Sequence, residues 1–306
     1  MNNQPIAVFG ATGAQGGPVV QALLSANRPV RAIARTESKL HPLAEQGAEI
    51  FALDLADVEA LKKALSGVAG AFVQLPFVPV AEILENQAHA ISEVLEAANV
   101  PMTVVTLSGT APTKLVGAVT LDTKTTTKRI MEQSKAPLVI FEPFVYLSNI
   151  CSPFTAPRII YNNEFRYPLT ADHRMSWISI EDQAKLALGA LQRPDLAGQQ
   201  FYIGQMFTGP ELAAGISDGL GRTIRYVPLT PEQFGRDVVA PFLGEQAGEA
   251  LVDDYTIINN RPSGLNFEVD TQTILRELNM SLTSVADWTR QQPWEAVAQI
   301  GAKVLQ

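Results

Sequence analysis

The chain's pattern predicts a doubly wound α/β fold, a parallel sheet with helices on both faces, followed by a smaller α+β lobe. Three observations carry this prediction. Short apolar runs alternate with amphipathic segments through the first 150 residues. A glycine-rich turn closes the first run. The rhythm changes after about residue 150, where prolines and aromatics punctuate Ser152–Pro168. Strands that alternate with helices pair in parallel, because each helix carries the chain back across the sheet.

The elements follow in order. Ile6–Phe9 is an apolar strand, and Val19, Val20, Leu23 and Leu24 recur at helical spacing in Pro18–Ala26. Val30–Ala34 and Ala48–Leu53 read as strands on either side of a short helix, Leu40–Gln46. Asp57–Leu65 is amphipathic, Gly70–Leu75 is a strand and Ala81–Ala98 a long helix. Thr103–Leu107 and Leu138–Phe141 are strands flanking a helix over Thr123–Ser134. In the second half, Ser179 is a good N-cap for a helix over Ile178–Leu191, with Glu181 and Asp182 in its first turn. Gln200–Ile203 and Thr223–Leu229 read as strands, and Glu211–Leu220 as a helix. Pro231–Asn259 reads as one or two helices broken near residues 241–244, and Thr271–Leu278 and Thr283–Arg290 as short terminal helices. Residues 1–150 are expected to form the first domain, completed by 177–205, and 151–306 a smaller lobe over the sheet's carboxyl edge.

Composition narrows the function. The chain has 306 residues, 46% hydrophobic and 18% charged, which excludes disordered and fibrous classes. A net charge of -8 argues against nucleic acid or an anionic membrane as partner. No run approaches the ~20 apolar residues of a membrane span. The single cysteine, Cys151, leaves no disulfide within the chain and suits the cytoplasm. His41, His89 and His173 share no ligand spacing, so no metal is expected.

The strongest local signal is Gly10-Ala11-Thr12-Gly13-Ala14-Gln15-Gly16. It follows a strand and opens a helix, which is the context a dinucleotide-binding Rossmann turn requires. Gly10 permits the turn, Gly13 lets a pyrophosphate approach, and Gly16 lets the helix rest on the strand. Thr12, Ala14 and Gln15 complete the cradle. No Gly-Lys-Ser/Thr follows, so this is not a P-loop. Arg35 stands at the end of the second strand, where an NAD-selective site offers an acid, and Lys39 follows one turn later. A guanidinium there pairs with a 2′-phosphate, so NADP(H) is expected over NAD(H). Asp54 can accept the adenine amino group while Leu55 packs on the ring. Gln74, Leu75 and Pro76 end the fourth strand and are expected to line the nicotinamide ribose.

With these residues in view, the chain resembles the NmrA-like branch of the atypical short-chain dehydrogenases/reductases. The glycine loop matches the branch's G-A-T-G-x-x-G start. Val30-Arg31-Ala32-Ile33-Ala34-Arg35 resembles its V-R-A-x-x-R. Lys124, Pro143 and Asn149 match, without a gap, a lysine, a proline and an asparagine of a family stretch. Trp177 through Ala184 resembles its W-x-x-x-x-D-x-A helix start. The resemblance covers residues 4–205 well and the last hundred in outline. It implies that Lys124 holds the nicotinamide ribose and that Ser108 stands at the family's serine position. Phe77, Tyr146, Asn149, Tyr161 and Trp177 are candidates for the substrate pocket.

Two departures stand out. The wider superfamily carries Tyr-x-x-x-Lys, with the phenol as proton donor, and the tyrosine position here is Thr120. An aliphatic hydroxyl is too weak an acid to replace a phenol, so Thr120 is not expected to matter for turnover. Glu142 stands where the family usually shows arginine. The expected function is an NADP(H)-dependent reductase that passes hydride to a small apolar acceptor such as a quinone or an enone, which can take its proton from water. The alternative is a non-catalytic NADP(H) sensor acting through a protein partner. A monomer or homodimer fits either reading.

Overall fold

The computed structural model describes residues 4–75, 80–261, 265 and 270–304. Its centre is a seven-stranded parallel sheet. The first six strands are β1 (Ile6–Phe9), β2 (Val30–Ala34), β3 (Glu49–Ala52), β4 (Gly70–Gln74), β5 (Thr103–Thr106) and β6 (Leu138–Pro143). Three short strands follow, β7 (Val145–Tyr146), β8 (Glu164–Tyr167) and β9 (Met175–Ile178). The chain then returns to the sheet as β10 (Gln200–Ile203), which pairs with β6 in parallel. The order is β3-β2-β1-β4-β5-β6-β10. It reverses between β1 and β4; Ile6 of β1 lies opposite Val30 of β2 on one side and Gly70 of β4 on the other.

Alternation along the strands builds two cores. Val8, Ala32, Phe72, Val104 and Val139 are buried on one face. There they meet α1 (Gly16–Ser25) and the later helix α7 (Ile180–Ala190). Phe9, Ile33, Val73, Val105 and Ile140 are buried on the other. They meet α3 (Val58–Leu65), α4 (Ala81–Ala97) and α5 (Val119–Glu132), α2 (His41–Glu45) being a short link between β2 and β3. Successive side chains of a strand point to opposite faces, so a sheet covered on both sides needs apolar residues at every position.

A third core is drawn wholly from residues after 143, with Phe165, Tyr167, Trp177, Phe234, Tyr255 and Trp288 among its members. Around it lie α6 (Ala156–Asn162), β11 (Gln205–Phe207), α8 (Gly209–Leu220), β12 (Arg225–Pro228) and a π-helical stretch over 233–239. Then come α9 (Ala240–Leu243), α10 (Glu245–Asn259), α11 (Gln272–Leu278), α12 (Val285–Gln291) and α13 (Trp294–Val304). The expected break near 241–244 is present, with Gly244 at φ +89 between α9 and α10.

Several elements differ from the expectation: the short strands β7, β8, β9 and β11 were not foreseen, and three helices depart from it. α5 begins at Val119 rather than Thr123, so residues 120 and 124 share one helix face. The start carries no cap in front of it. Asp122, inside the first turn, accepts the N–H groups of Val116 at 2.7 Å and Gly117 at 3.0 Å instead. α6 and α13 were not expected. Both pack tightly: a β-carbon at Gly301 of α13 would lie 1.9 Å from the Pro153 carbonyl oxygen. Glycine and proline at such contacts weaken the local helix signal.

α1 rests on β1 through Gly16. A β-carbon there would lie 2.3 Å from the Gly10 carbonyl oxygen and 2.9 Å from that of Phe9. Both neighbours are backbone and cannot swing away. Gly16→Ala is therefore expected to destabilise the fold by about 2 kcal/mol, the scale of overpacking in a filled core. Equilibrium unfolding in urea measures it, and an unchanged midpoint would contradict this packing.

Candidate functional site

The reversal of strand order between β1 and β4 opens a crevice at their carboxyl ends, where open α/β sheets bind ligands. The glycine turn lies there. Gly10 has φ +65, a conformation open to glycine at no steric cost. The Gly13 N–H donates to the Gly10 carbonyl at 2.8 Å and closes the turn. Thr12, Gly13 and Ala14 are exposed. The first turn of α1 has no acidic side chain and no side-chain cap; the Gly17 N–H turns back to the Gly13 carbonyl at 2.9 Å, while the N–H groups of Thr12, Ala14, Gln15 and Gly16 make no such bond among the described residues. Gln15 is tied from behind: the Tyr146 hydroxyl shares its proton between Gln15 Oε1 at 2.9 Å and Gln183 Oε1 at 2.7 Å. Thr106 also donates to Gln183, at 3.2 Å, which locks the turn to β5, β7 and α7.

Arg35 follows the last residue of β2 and is exposed, as is Lys39. Among the described residues Arg35 makes no ion pair or hydrogen bond. Arg31, by contrast, is spent on Glu49 and on the carbonyls of Ala64 and Ser66. Asp54 is exposed, and its Oδ1 accepts the Ala56 N–H at 2.9 Å. Asp57 is the cap of α3, accepting from Ala60 at 3.0 Å. Leu55 is not beside Asp54 on the surface. It is buried in the core under α3 and α4, because the chain turns inward to start α3.

On the other side of the reversal, Gln74 stands against Gly10: a β-carbon on Gly10 would lie 2.7 Å from Gln74 Oε1. Gln74 Nε2 donates to Ser108 Oγ at 3.1 Å. Leu75 is buried, and Pro76 and Phe77 lie outside the described residues. Ser108 holds φ +59, a left-handed conformation that a residue with a β-carbon adopts at a cost. Beside it, the Lys124 stem runs over Gly109, where a β-carbon would come within 2.8 Å of Lys124 Cε. Lys124 makes no ion pair among the described residues. Burial lowers its pKa from the usual lysine value, and Asp254 works in the opposite direction.

Glu142, the departure at the end of β6, has a structural reason. Its Oε1 takes the Lys128 ammonium at 2.5 Å and its Oε2 accepts the Ala111 N–H at 3.3 Å. It ties β6 to α5 and to the loop that carries Ser108. Burial raises the Glu142 pKa, with Lys128 opposing.

The substrate candidates separate. Tyr146 is buried behind Gln15, and burial raises its pKa. Trp177 is 1% exposed and packs on Tyr167 at 5.0 Å between ring centroids, deep in the third core. The Asn149 carbonyl accepts from Ser152 and Thr155 in a local turn. Tyr161 is exposed on α6. None of these four lines the cavity beside the start of α5. That cavity, about 410 Å³, lies between the start of α5 and the α9–α10 pair, lined by Val119, Thr120, Leu243, Ala247, Ala250 and Asp253, among others. A second, of about 280 Å³, shares Gly117 and Val119 with it and runs along α4 past Leu115. Leu115, Val119 and Leu243 are each more than half exposed at these mouths. Sequence reasoning missed these residues because the lobe's helices fold back over α5 from more than a hundred positions away.

A family model described as the NmrA-like family matches residues 2–288. The chain belongs to that family. It is 29% identical over 254 residues to an NAD(P)H azoreductase of Xenophilus azovorans, covering 82% of this chain and 86% of that protein. The NADPH-dependent quinone oxidoreductase of Escherichia coli, solved with NADPH, superposes with a TM-score of 0.74 at 22% identity, covering 93% of this chain and 98% of that one. The negative transcriptional regulator NmrA, solved with NADP, superposes with a TM-score of 0.73 at 16% identity over 100% of both chains. The same regulator has been solved with NAD. At these identities the two solved structures share the fold. No helix of the described residues is long and apolar enough to cross a membrane.

Removing one partner of a buried ion pair leaves the other uncompensated. Glu142→Ala is therefore expected to cost about 3 kcal/mol of stability. The double variant with Lys128→Ala should lose less than the sum of the two single changes. Denaturant titration of the three variants measures the coupling, and strict additivity would contradict the pair.

Proposed function

We propose that the crevice at the carboxyl ends of β1, β4 and β5 holds NADP(H), and that the adjoining cavity takes a small apolar acceptor, a quinone or an azo compound. One observation carries this reading. Gly10, Gln74, Ser108 and Lys124 form a continuous floor that leads from the open glycine turn to the helix whose first turn lines the 410 Å³ cavity. The residues fit the cofactor. The unmatched N–H groups ahead of α1 suit a diphosphate. Arg35, which makes no ion pair or hydrogen bond among the described residues, and Lys39 suit the 2′-phosphate, and no acid stands at the end of β2 to repel it. Asp54 retains a free carboxylate oxygen for the adenine amino group. Gln74 and Ser108 border the ribose end, and Lys124 is placed to hold its hydroxyls. A bound nicotinamide supplies the hydride. The chain's own work is to hold it, to turn it toward the cavity, and to present an apolar wall of Val119, Leu243, Ala247 and Ala250 to the acceptor. The azoreductase and quinone oxidoreductase likenesses support an acceptor of this kind.

A regulatory reading has one specific observation behind it: Thr120 replaces the tyrosine, and the fold is shared with a transcriptional regulator. The two readings separate in one assay. NADPH oxidation is followed against a panel of quinones, enones and azo dyes, beside calorimetric titration of NADPH and NADH. The reductase reading expects turnover with at least one acceptor. Tight NADPH binding with no turnover of any acceptor would overturn it in favour of the regulator.

The cofactor preference has its own test. Arg35→Ala should lose a charge-assisted contact worth on the order of 2 kcal/mol, or ~30-fold in NADPH affinity, with little change for NADH. Equal wild-type affinities for the two cofactors would contradict the role given to Arg35.

A further inference from the structure

The place of the missing phenol is not empty of acid. Thr120 and Lys124 lie one turn apart on the same face of α5, and Thr120 lines the 410 Å³ cavity. The Thr120 hydroxyl donates to Asp254 Oδ1 of α10, on the far side of the cavity's inner wall. Asp254 is 7% exposed, and among the described residues it makes that one hydrogen bond and no ion pair. It does not itself line the cavity. A buried carboxyl whose only hydrogen-bond partner is a hydroxyl facing a ligand cavity is an unusual expense in a core.

We propose that Asp254 is the proton source of this site and that Thr120 passes its proton to the reduced acceptor. The proposal rests on the reductase reading above. The step balances. The acceptor, having gained a hydride from the reduced nicotinamide cofactor, carries a lone pair on oxygen or nitrogen. The Thr120 hydroxyl, which donates to Asp254 Oδ1 at rest, rotates to give its proton to that atom as Thr120 Oγ1 takes the proton of the Asp254 carboxyl. Two O–H bonds break, those of threonine and of the carboxyl, and two form, one on the acceptor's oxygen or nitrogen and one on threonine; threonine ends as it began and Asp254 ends as a carboxylate. Solvent reprotonates it between turnovers. Threonine never bears a charge, so the weakness of an aliphatic hydroxyl as an acid is no obstacle. Asp254 is a positioning and proton-supplying residue that acts through Thr120.

The surroundings favour a protonated Asp254. Burial pushes its carboxyl above the usual range; Lys124 and the Thr120 hydrogen bond oppose, and Asp253 and Asp122 assist. Lys124 is itself shifted by burial toward its neutral form. From the π-helical stretch packed on α10, the charged groups are Arg236, held by Glu249, and Asp237, and α9 carries no charge.

Two measurements test the proposal. The first needs no turnover: the Asp254 carboxyl is titrated by NMR in the cofactor-free protein with isotope-labelled aspartate, assigned with Asp254→Asn. The midpoint is expected above the ordinary value of about 4. A midpoint at or below it overturns the proposal. The second uses NADPH and the best acceptor of the panel. Wild-type kcat should fall as pH rises through the Asp254 midpoint, because only the protonated form delivers. Asp254→Asn should lower kcat about 100-fold and abolish that limb. Thr120→Val, which breaks the relay with Asp254 in place, should do the same, and Thr120→Ser should restore the rate. Wild-type rates in Asp254→Asn or Thr120→Val, or a retained limb in either, overturn the proposal and leave the reductase reading standing. Failure of the wild type to reduce any acceptor overturns both.

Discussion

The approach of α1 to β1 constrains everything around the site. Gly16 has no room for a β-carbon against the Gly10 carbonyl, and Gly10 must take a left-handed turn to bring the chain there. This contact fixes where the helix begins and where its leading N–H groups point. The strand reversal between β1 and β4 then leaves those groups facing a crevice rather than a neighbouring loop. Gln74 fits against Gly10 because glycine leaves the space, and through Gln74 the order passes to Ser108 on β5's loop. Polar clamps hold the arrangement from behind. Tyr146, Gln183 and Thr106 brace Gln15, and Glu142 with Lys128 braces the loop after β5.

The later part of the chain completes the site by wall-building. α9 and α10 return over the start of α5 and enclose a cavity whose lining is mostly apolar. In the proposed reading the sheet edge offers an anion cradle and a cation, and the lobe an apolar chamber one helical turn away. Neither half suffices for a reaction between a charged dinucleotide and an apolar acceptor. The Thr120–Asp254 hydrogen bond is where the two halves meet.

What was legible in the sequence was local or periodic. Gly10, Gly13 and Gly16 announce themselves because the turn needs glycine at those places, and the alternating apolar runs give the parallel sheet because both faces are covered. The place of Arg35 just past the end of β2, and its exposure there, were legible because they depend only on the strand's local pattern. The start of α5 was misplaced because Asp122 satisfies the preceding N–H groups from within the helix, so no cap stands in front. Tyr146 and Trp177 show the limit of reading aromatics: a ring in a strand is as useful to a core as to a pocket, and here Trp177 fills the core while Tyr146 braces the turn. Glu142 looked like an unexplained exchange until Lys128 was seen beside it. Asp254 lies 134 positions from Thr120, and no local pattern connects them. The one trace in the sequence is a carboxylate one turn before the apolar Ile258 of α10, and the structure buries both.

The central claim is that one crevice carries the dinucleotide from the glycine turn to the mouth of the lobe's cavity. A crystal structure of the chain grown with NADP+ tests it most directly. The account predicts the 2′-phosphate against Arg35, the diphosphate at the backbone of 12–16, and the nicotinamide ribose within reach of Lys124, its ring turned toward Thr120. A dinucleotide seated elsewhere, or one whose nicotinamide end points away from Lys124 and the cavity, would contradict it.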